Sequence, residues 1–266
     1  QIKLPVYNDS SFSTYYWQKS SFSKSLPATN GDIVFLGNSI TDGAEWSELF
    51  NDLNVKSRGI SGDVTAGIVN RLQNIASRKP DKIFLLIGTN DLARKISPDS
   101  VVKNILLIAD YLRQESPATQ LFVQSILPVN NFFGKFPDHT GNNQKINIVN
   151  ASLQKMSSSH HYRYIDLHSF FKGADGKLDT AYTNDGLHLL GPGYALWKHL
   201  IYSDVYGLNQ KPSLIPQPQS LKWNDGAFPL YSCQSIVMKD KSLQKEAAFL
   251  QKIISEKGWR MDIRAA

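Results

Sequence analysis

Apolar residues in this chain gather in short runs, and between the runs they recur every three or four positions. The runs read as strands: Asp32-Ile-Val-Phe-Leu36, the shorter Val55-Lys-Ser-Arg58, Lys82-Ile-Phe-Leu-Leu-Ile87, Leu121-Phe-Val-Gln-Ser125 and Tyr162-Arg-Tyr-Ile165. The third is apolar without alternation from Ile83 to Ile87 and stops at Gly88, the pattern of a central strand covered on both faces. The intervening segments read as helices. Thr65 to Ser77 sets Ile68, Val69, Leu72, Ile75 and Ala76 on one stripe. Ser97-Pro98 offers an N-cap and a first helical residue for a helix to about Glu115, and Gln144 to Ser157 and Tyr194 to Tyr202 are two more. Strand–helix alternation of this kind predicts an α/β fold, a three-layer α/β/α sandwich on a five-stranded parallel sheet.

Near Gly207 the texture changes. Lys211-Pro-Ser-Leu-Ile-Pro-Gln-Pro218 is proline-rich, the composition of a boundary between domains. A hairpin-like stretch around Asn224-Asp225-Gly226 and a helix from about Ser242 to Lys257 follow. The pattern predicts a first domain over 1–208 and a linker with the start of a second over 209–266. So small a βα fragment has little core of its own.

Composition narrows the function. The 266 residues are 41% hydrophobic and 20% charged, an ordinary globular balance. Residues 211–266 hold nine Lys/Arg against five Asp/Glu, so most of the net charge of +6 lies there. Basic residues form no stripe interleaved with aromatics, which argues against a nucleic-acid partner. No apolar run reaches the ~20 residues of a membrane span. Gln1 and the polar, aromatic residues after it do not form a signal peptide. The single cysteine, Cys233, allows neither an internal disulfide nor a cysteine-based zinc site and reads as a small buried apolar residue.

Four short segments carry candidate chemistry, and in an open parallel sheet the carboxyl ends of the strands are where ligands bind. Gly37-Asn38-Ser39-Ile40-Thr41-Asp42-Gly43 follows the first strand. It exposes a Ser on a tight turn into a helix, or merely caps that helix. It is not G-x-S-x-G, because Thr41 stands at the second Gly. Gly59-Ile60-Ser61-Gly62-Asp63-Val64-Thr65 offers the Gly62 N–H to an anion, or Asp63 as a helix cap. In Gly88-Thr89-Asn90-Asp91 the Asn90 amide is an oxyanion donor or a cap. Asp185-Gly186-Leu187-His188 places a carboxylate three residues before an imidazole, as an orienting pair, a metal pair or a surface turn.

Taken together, the four blocks resemble the SGNH (GDSL-like) hydrolase superfamily, named for its Ser, Gly, Asn and His. The resemblance covers roughly residues 10 to 205. It implies a flavodoxin-like strand order, a catalytic triad of Ser39, Asp185 and His188, and an oxyanion hole of Ser39, Gly62 and Asn90. Asn38 stands where many members carry Asp and Ile40 where they carry Leu; neither position is the nucleophile or an oxyanion donor. The implied reaction is ester hydrolysis with no cofactor and no metal.

The first two blocks are also similar to those of bacterial carbohydrate and sialate O-acetylesterases. Residues 212–260 resemble the opening of the N-terminal domain of family 20 β-hexosaminidases. Both resemblances imply an acetyl ester on a glycan or another small-molecule ester as substrate. They also imply a periplasmic, cell-surface or secreted protein. A lysophospholipase, thioesterase or aryl-esterase would use the same residues, and a glycan-binding module with a vestigial triad is the reading from outside the enzymes.

Around the site, Trp46, Asn130, Phe132 and Phe133 are candidate substrate-binding residues, the last three in the Gly/Asn/Pro-rich loop Asn130 to Asn143. His139 lies in the same loop, at the border of the expected pocket. His160-His161 read as a solvated pair, His168 as structural or supporting, and His199 as part of the last helix; no set has metal-ligand spacing.

Overall fold

The structure, a computed structural model, describes residues 2–207, 235–238, 240–256 and 262–265. The chain divides into two compact units, Gln1–Lys211 and Pro212–Ala266. The proline-rich segment, the Asn224–Gly226 turn and Cys233 lie outside the described residues.

The first unit is built on strands β1 (Ile33–Gly37), β2 (Val55–Gly59), β3 (Lys82–Leu86), β4 (Gln120–Gln124) and β5 (Arg163–Ile165). All pair in parallel, in the order β2-β1-β3-β4-β5. The order reverses at β1, so a crevice opens at the carboxyl ends of β1 and its two neighbours. Each strand buries alternate residues on opposite faces. Val34, Leu36, Ile83, Leu85, Leu121 and Val123 enter one core, against α4 (Thr65–Ser77), α6 (Pro98–Glu115) and α8 (Asn143–Met156). Ile33, Phe35, Phe84, Leu86 and Phe122 enter the other, against α3 (Trp46–Phe50) and α9 (Gly191–Tyr206).

On that second face Phe35, Phe84 and Phe122 are register partners across three strands. Their rings stack at 5.1 and 4.5 Å. Trp46 closes the stack at 3.8 Å from Phe35, with its indole N–H donating to the Thr41 carbonyl at 2.7 Å. Trp46 is therefore a core residue, 1% exposed, and not part of a substrate pocket. Its aromatic type suited either place, and only the sheet's register put a ring beneath it.

The helix starts follow local capping chemistry. Ser97 accepts from Ser100 N–H ahead of Pro98, as expected for α6. α9 begins earlier than its apolar pattern suggested, because Pro192 sits in its first turn, and it ends at Gly207, whose φ of +68° closes the helix. Besides the short helices α3, α5 (Thr89–Ala93) and α7 (Pro137–Thr140), one longer helix was unforeseen: α1 (Thr14–Ser25), capped by Ser13. It buries only Tyr16 and Ser20, which is too few apolar positions to show as a stripe.

In the second unit, β6 (Ser235–Met238) and β7 (Asp262–Ala265) pair in parallel, with α10 (Gln244–Glu256) between them in sequence. Parallel neighbours require such a crossover. The strand after the helix was not foreseen from sequence. Among the described residues, no helix is long and apolar enough to cross a membrane.

Candidate active site

Three of the four motif blocks leave the sheet side by side. Gly37 is the register partner of Gly59 on one side and Leu86 on the other. The loops carrying Ser39, Gly62 and Asn90 therefore start from neighbouring strand ends. Ser39 opens the short helix α2 (Ser39–Asp42), whose preceding residue Asn38 accepts from Ile40 N–H at 3.0 Å.

The fourth block comes from the loop before α9. Gly186 takes φ +83°, a left-handed conformation that lets the chain reverse after Asp185. The Asp185 carboxylate then accepts three bonds of 2.8 Å: Oδ1 from the N–H groups of Leu187 and His188, Oδ2 from the His188 ring at Nδ1. Burial pushes the Asp185 carboxyl up, but the bonds from His188 and Leu187 outweigh it and the net shift is downward. A carboxylate at Nδ1 requires the proton on that nitrogen. Nε2 is then a free acceptor, and Ser39 Oγ lies 3.0 Å from it. Residues 149 apart in sequence thus complete one line, Ser39 to His188 to Asp185.

Gly62 has φ +78° and stands in open space, so the turn exposes its backbone. Asn90 is buried and bound to the same turn, its Nδ2 donating to the Asp63 carbonyl at 2.8 Å. Asp63 itself does not cap α4. It is buried against Arg71, which donates to its Oδ2 at 2.9 Å and also to the Gly37 and Arg58 carbonyls. The cap of α4 is supplied instead by Asp91, whose carboxylate accepts from Thr65 N–H. The Asp91 cap was not legible in the sequence, because Thr65 follows β2 and Asp91 follows β3; Arg71 reaches back to Asp63 from two turns into α4.

Ser39, Gly62 and His188 line one open cleft of about 750 Å³ together with Tyr15, Asp42 and Tyr194. Asp42 braces this wall by accepting from Tyr15 O–H at 2.8 Å and Ser61 N–H at 3.2 Å, and by pairing with Lys19 at 2.7 Å. Tyr15 comes from α1, which is why sequence reading missed it.

The 130–143 loop plays a different part from the one expected. Asn130 is buried and does not line the cleft; its amide donates to the Leu178 carbonyl and accepts from Phe132 N–H, which ties the loop to itself and to the 178 segment. Phe132 and Phe133 pack edge-on against each other at 5.3 Å, and neither lines the cleft. The aromatic that reaches the site is Phe136, whose ring meets His188 edge-on at 5.2 Å. His139 donates from Nε2 to Asn90 Oδ1 at 3.0 Å.

The remaining histidines lie elsewhere. His168 is buried and bonded to the Ile126 carbonyl, and His160 pairs with Asp110 at 2.8 Å. Among the described residues, no three His, Cys, Asp or Glu side chains are placed to hold a metal.

A hydroxyl, an imidazole and a carboxylate in line at the switch point of a parallel sheet form the arrangement of a serine hydrolase. The chain belongs to the GDSL-like lipase/acylhydrolase family, whose sequence model matches residues 35–196, and it is an ester hydrolase. Over 172 residues it is 29% identical to the rat platelet-activating factor acetylhydrolase IB subunit alpha2, covering 62% of this chain and 71% of the relative. The human subunit alpha2 matches to the same extent. A GDSL-like lipase from Bacteroides thetaiotaomicron shares the fold, with a TM-score of 0.64 at 24% identity over 73% of this chain and 98% of the other.

Proposed function

We propose that this chain removes short acyl groups, acetyl above all, from polar alcohols such as the hydroxyls of sialic acid or other glycans, outside the cytoplasm. The bonded line from Ser39 Oγ through His188 to Asp185 carries the reading. His188 Nε2 takes the Ser39 proton as Oγ attacks the ester carbonyl carbon. Asp185 holds the ring and stabilises the imidazolium. The N–H groups of Ser39 and Gly62 and the Asn90 amide hold the oxyanion, each donor worth roughly 3 kcal/mol of barrier. Collapse breaks the ester C–O bond, and His188 protonates the departing alcohol. Water, deprotonated by His188, then releases the acid from Ser39.

The cleft wall is mixed, with Leu189 beside Tyr15, Asp42 and Tyr194, and the Tyr15 and Tyr194 hydroxyls are engaged by Asp42 and the Ile40 carbonyl. The relatives named as acetylhydrolases support acetyl as the group removed. Because those relatives are named for platelet-activating factor, a lipid alcohol is the second reading.

The test has two parts. A fluorophosphonate should label Ser39 covalently; an unlabelled but folded protein would leave only a binding module. Acetate release should then be followed from O-acetylated sialosides, other acetylated sugars and an acetyl-glycerophospholipid, beside p-nitrophenyl esters of rising length. Release from the lipid alone, or a maximum at octanoate or longer, selects the second reading.

A further inference from the structure

Asn90 is held from both ends. A carboxamide can sit either way round at a given place, and its neighbours decide which way. On one side is the Asp63 carbonyl, which can only accept, so it fixes the Nδ2 end toward the Gly62–Asp63 turn at 2.8 Å. On the other is His139, whose Nε2 lies 3.0 Å from Oδ1. An amide oxygen cannot donate, so His139 must carry its proton on Nε2. With Oδ1 engaged by the ring and one Nδ2 hydrogen by Asp63, the second Nδ2 hydrogen is the one left for a ligand.

We propose that His139 is a positioning residue for the oxyanion hole: it locks the Asn90 amide with its nitrogen toward the turn that carries Gly62. This rests on the assignment of Asn90 as an oxyanion donor. The surroundings favour a neutral donor ring. Burial lowers the His139 pKa, and His188 and Arg94 lower it further against the opposing pull of Asp138. His139 also sits on hydrogen-bonded helical backbone. It belongs to the short helix α7 (Pro137–Thr140), and its N–H bonds to the Phe136 carbonyl at 2.9 Å. Phe136 presents its ring to His139 at 5.9 Å and to His188 at 5.2 Å. One turn of chain therefore braces the oxyanion donor through His139 and touches the general base through Phe136. Without the imidazole, Asn90 keeps only the Asp63 bond, and its amide can rotate away from the reacting oxygen. Preorganised donors are effective because they need no reorganisation during the reaction, so a loosened amide costs rate and leaves substrate binding alone.

The experiment measures kcat and KM for p-nitrophenyl acetate with the full chain and with Asn90→Ala, His139→Ala, His139→Gln and the double variant Asn90→Ala/His139→Ala. Thermal unfolding of each reports the folded fraction. His139→Ala should lower kcat about 10-fold with KM within about twofold. His139→Gln, whose amide can donate to Oδ1, should recover most of that loss. The double variant should be no slower than Asn90→Ala alone, because a positioning residue has nothing left to position. Normal kcat in folded His139→Ala, or losses that multiply in the double variant, would overturn the proposal while leaving Asn90 as a donor. Normal kcat in Asn90→Ala would remove the oxyanion assignment itself, and this inference with it. Should His139→Ala not fold, His139→Gln decides: the proposal requires near-normal kcat, and a loss as large as that of Asn90→Ala refutes it.

Discussion

Asp91 accepts the Thr65 backbone N–H through both carboxylate oxygens, at 3.1 and 3.0 Å, and the Thr65 hydroxyl through Oδ1 at 2.6 Å. Asn104 donates to that hydroxyl at 2.8 Å. The first turn of α4, which follows β2, is thereby fastened to the Thr89–Ala93 helix that follows β3 across β1, and this holds the Gly62 and Asn90 segments together. Such a clamp ties the geometry of the site to the stability of the fold.

The clamp predicts a pH dependence. Burial raises the Asp91 pKa to about 6, against the lowering pull of the Thr65 bonds. A carboxyl raised in the folded state favours its protonated form there. Its contribution is fully present below the unfolded pKa of about 3.9 and is lost as pH rises through the folded value. Relative to Asp91→Asn, the parent chain should lose roughly 3 kcal/mol of unfolding free energy between about pH 4 and 7. Denaturant unfolding at several pH values measures this. Curves that stay parallel across that window would show that Asp91 titrates as an ordinary surface carboxyl.

The triad should separate by role. Ser39→Ala and His188→Ala should each lower kcat by about 10⁴-fold or more, and Asp185→Asn by a smaller factor, since an orienting residue is partly dispensable. All three should fold. Steady-state kinetics with a p-nitrophenyl ester decides, and full activity in Ser39→Ala would end the serine-esterase mechanism.

Gly186 should tolerate no side chain. A Cβ there would come within 1.8 Å of the Asn130 carbonyl oxygen, and its φ is +83°. Gly186→Ala should destabilise the chain by about 1–3 kcal/mol and reduce kcat, because Asp185 and His188 turn on this residue. A Tm and kcat both equal to the parent's would mean the turn relaxes freely.

Trp46→Ala should act on stability and leave recognition alone. The ring is buried and stacked on Phe35, so its loss should cost about 3–5 kcal/mol. KM of the folded fraction should stay near the parent value. A raised KM at unchanged stability would return Trp46 to the substrate pocket.

A chain cut after Lys211 should hydrolyse p-nitrophenyl acetate at a comparable rate, because Ser39, Gly62, Asn90, Asp185 and His188 all lie in the first unit. A large loss of kcat in a soluble, folded truncation would show that the second unit shapes the site.

Much of this was legible in the chain itself, for a physical reason. The Ile83–Ile87 run marks a strand buried on both faces, the spacing of Ile68, Leu72 and Ile75 marks a helix stripe, and Ser97-Pro98 marks a helix start; each is a local record of burial or capping. The Ser39, Gly62, Asn90 and Asp185–His188 blocks are local as well, since turn chemistry and the i,i+3 pairing act within a few residues. Contacts between distant segments leave no such record. Trp46 looked like a pocket aromatic until the register of β1 set Phe35 beneath it, and Asp63 looked like the cap of α4 until Asp91, from beyond β3, took the Thr65 N–H. α1 has too small an apolar face to show a period, so Tyr15 came to the cleft unannounced. That Asn90 rests between Asp63 and His139 was decided only when the strand order brought the ends of β1, β2 and β3 side by side and folded the 130–143 loop against them. Local sequence specifies elements and turns, whereas the strand order and the packing between elements decide which side chains meet.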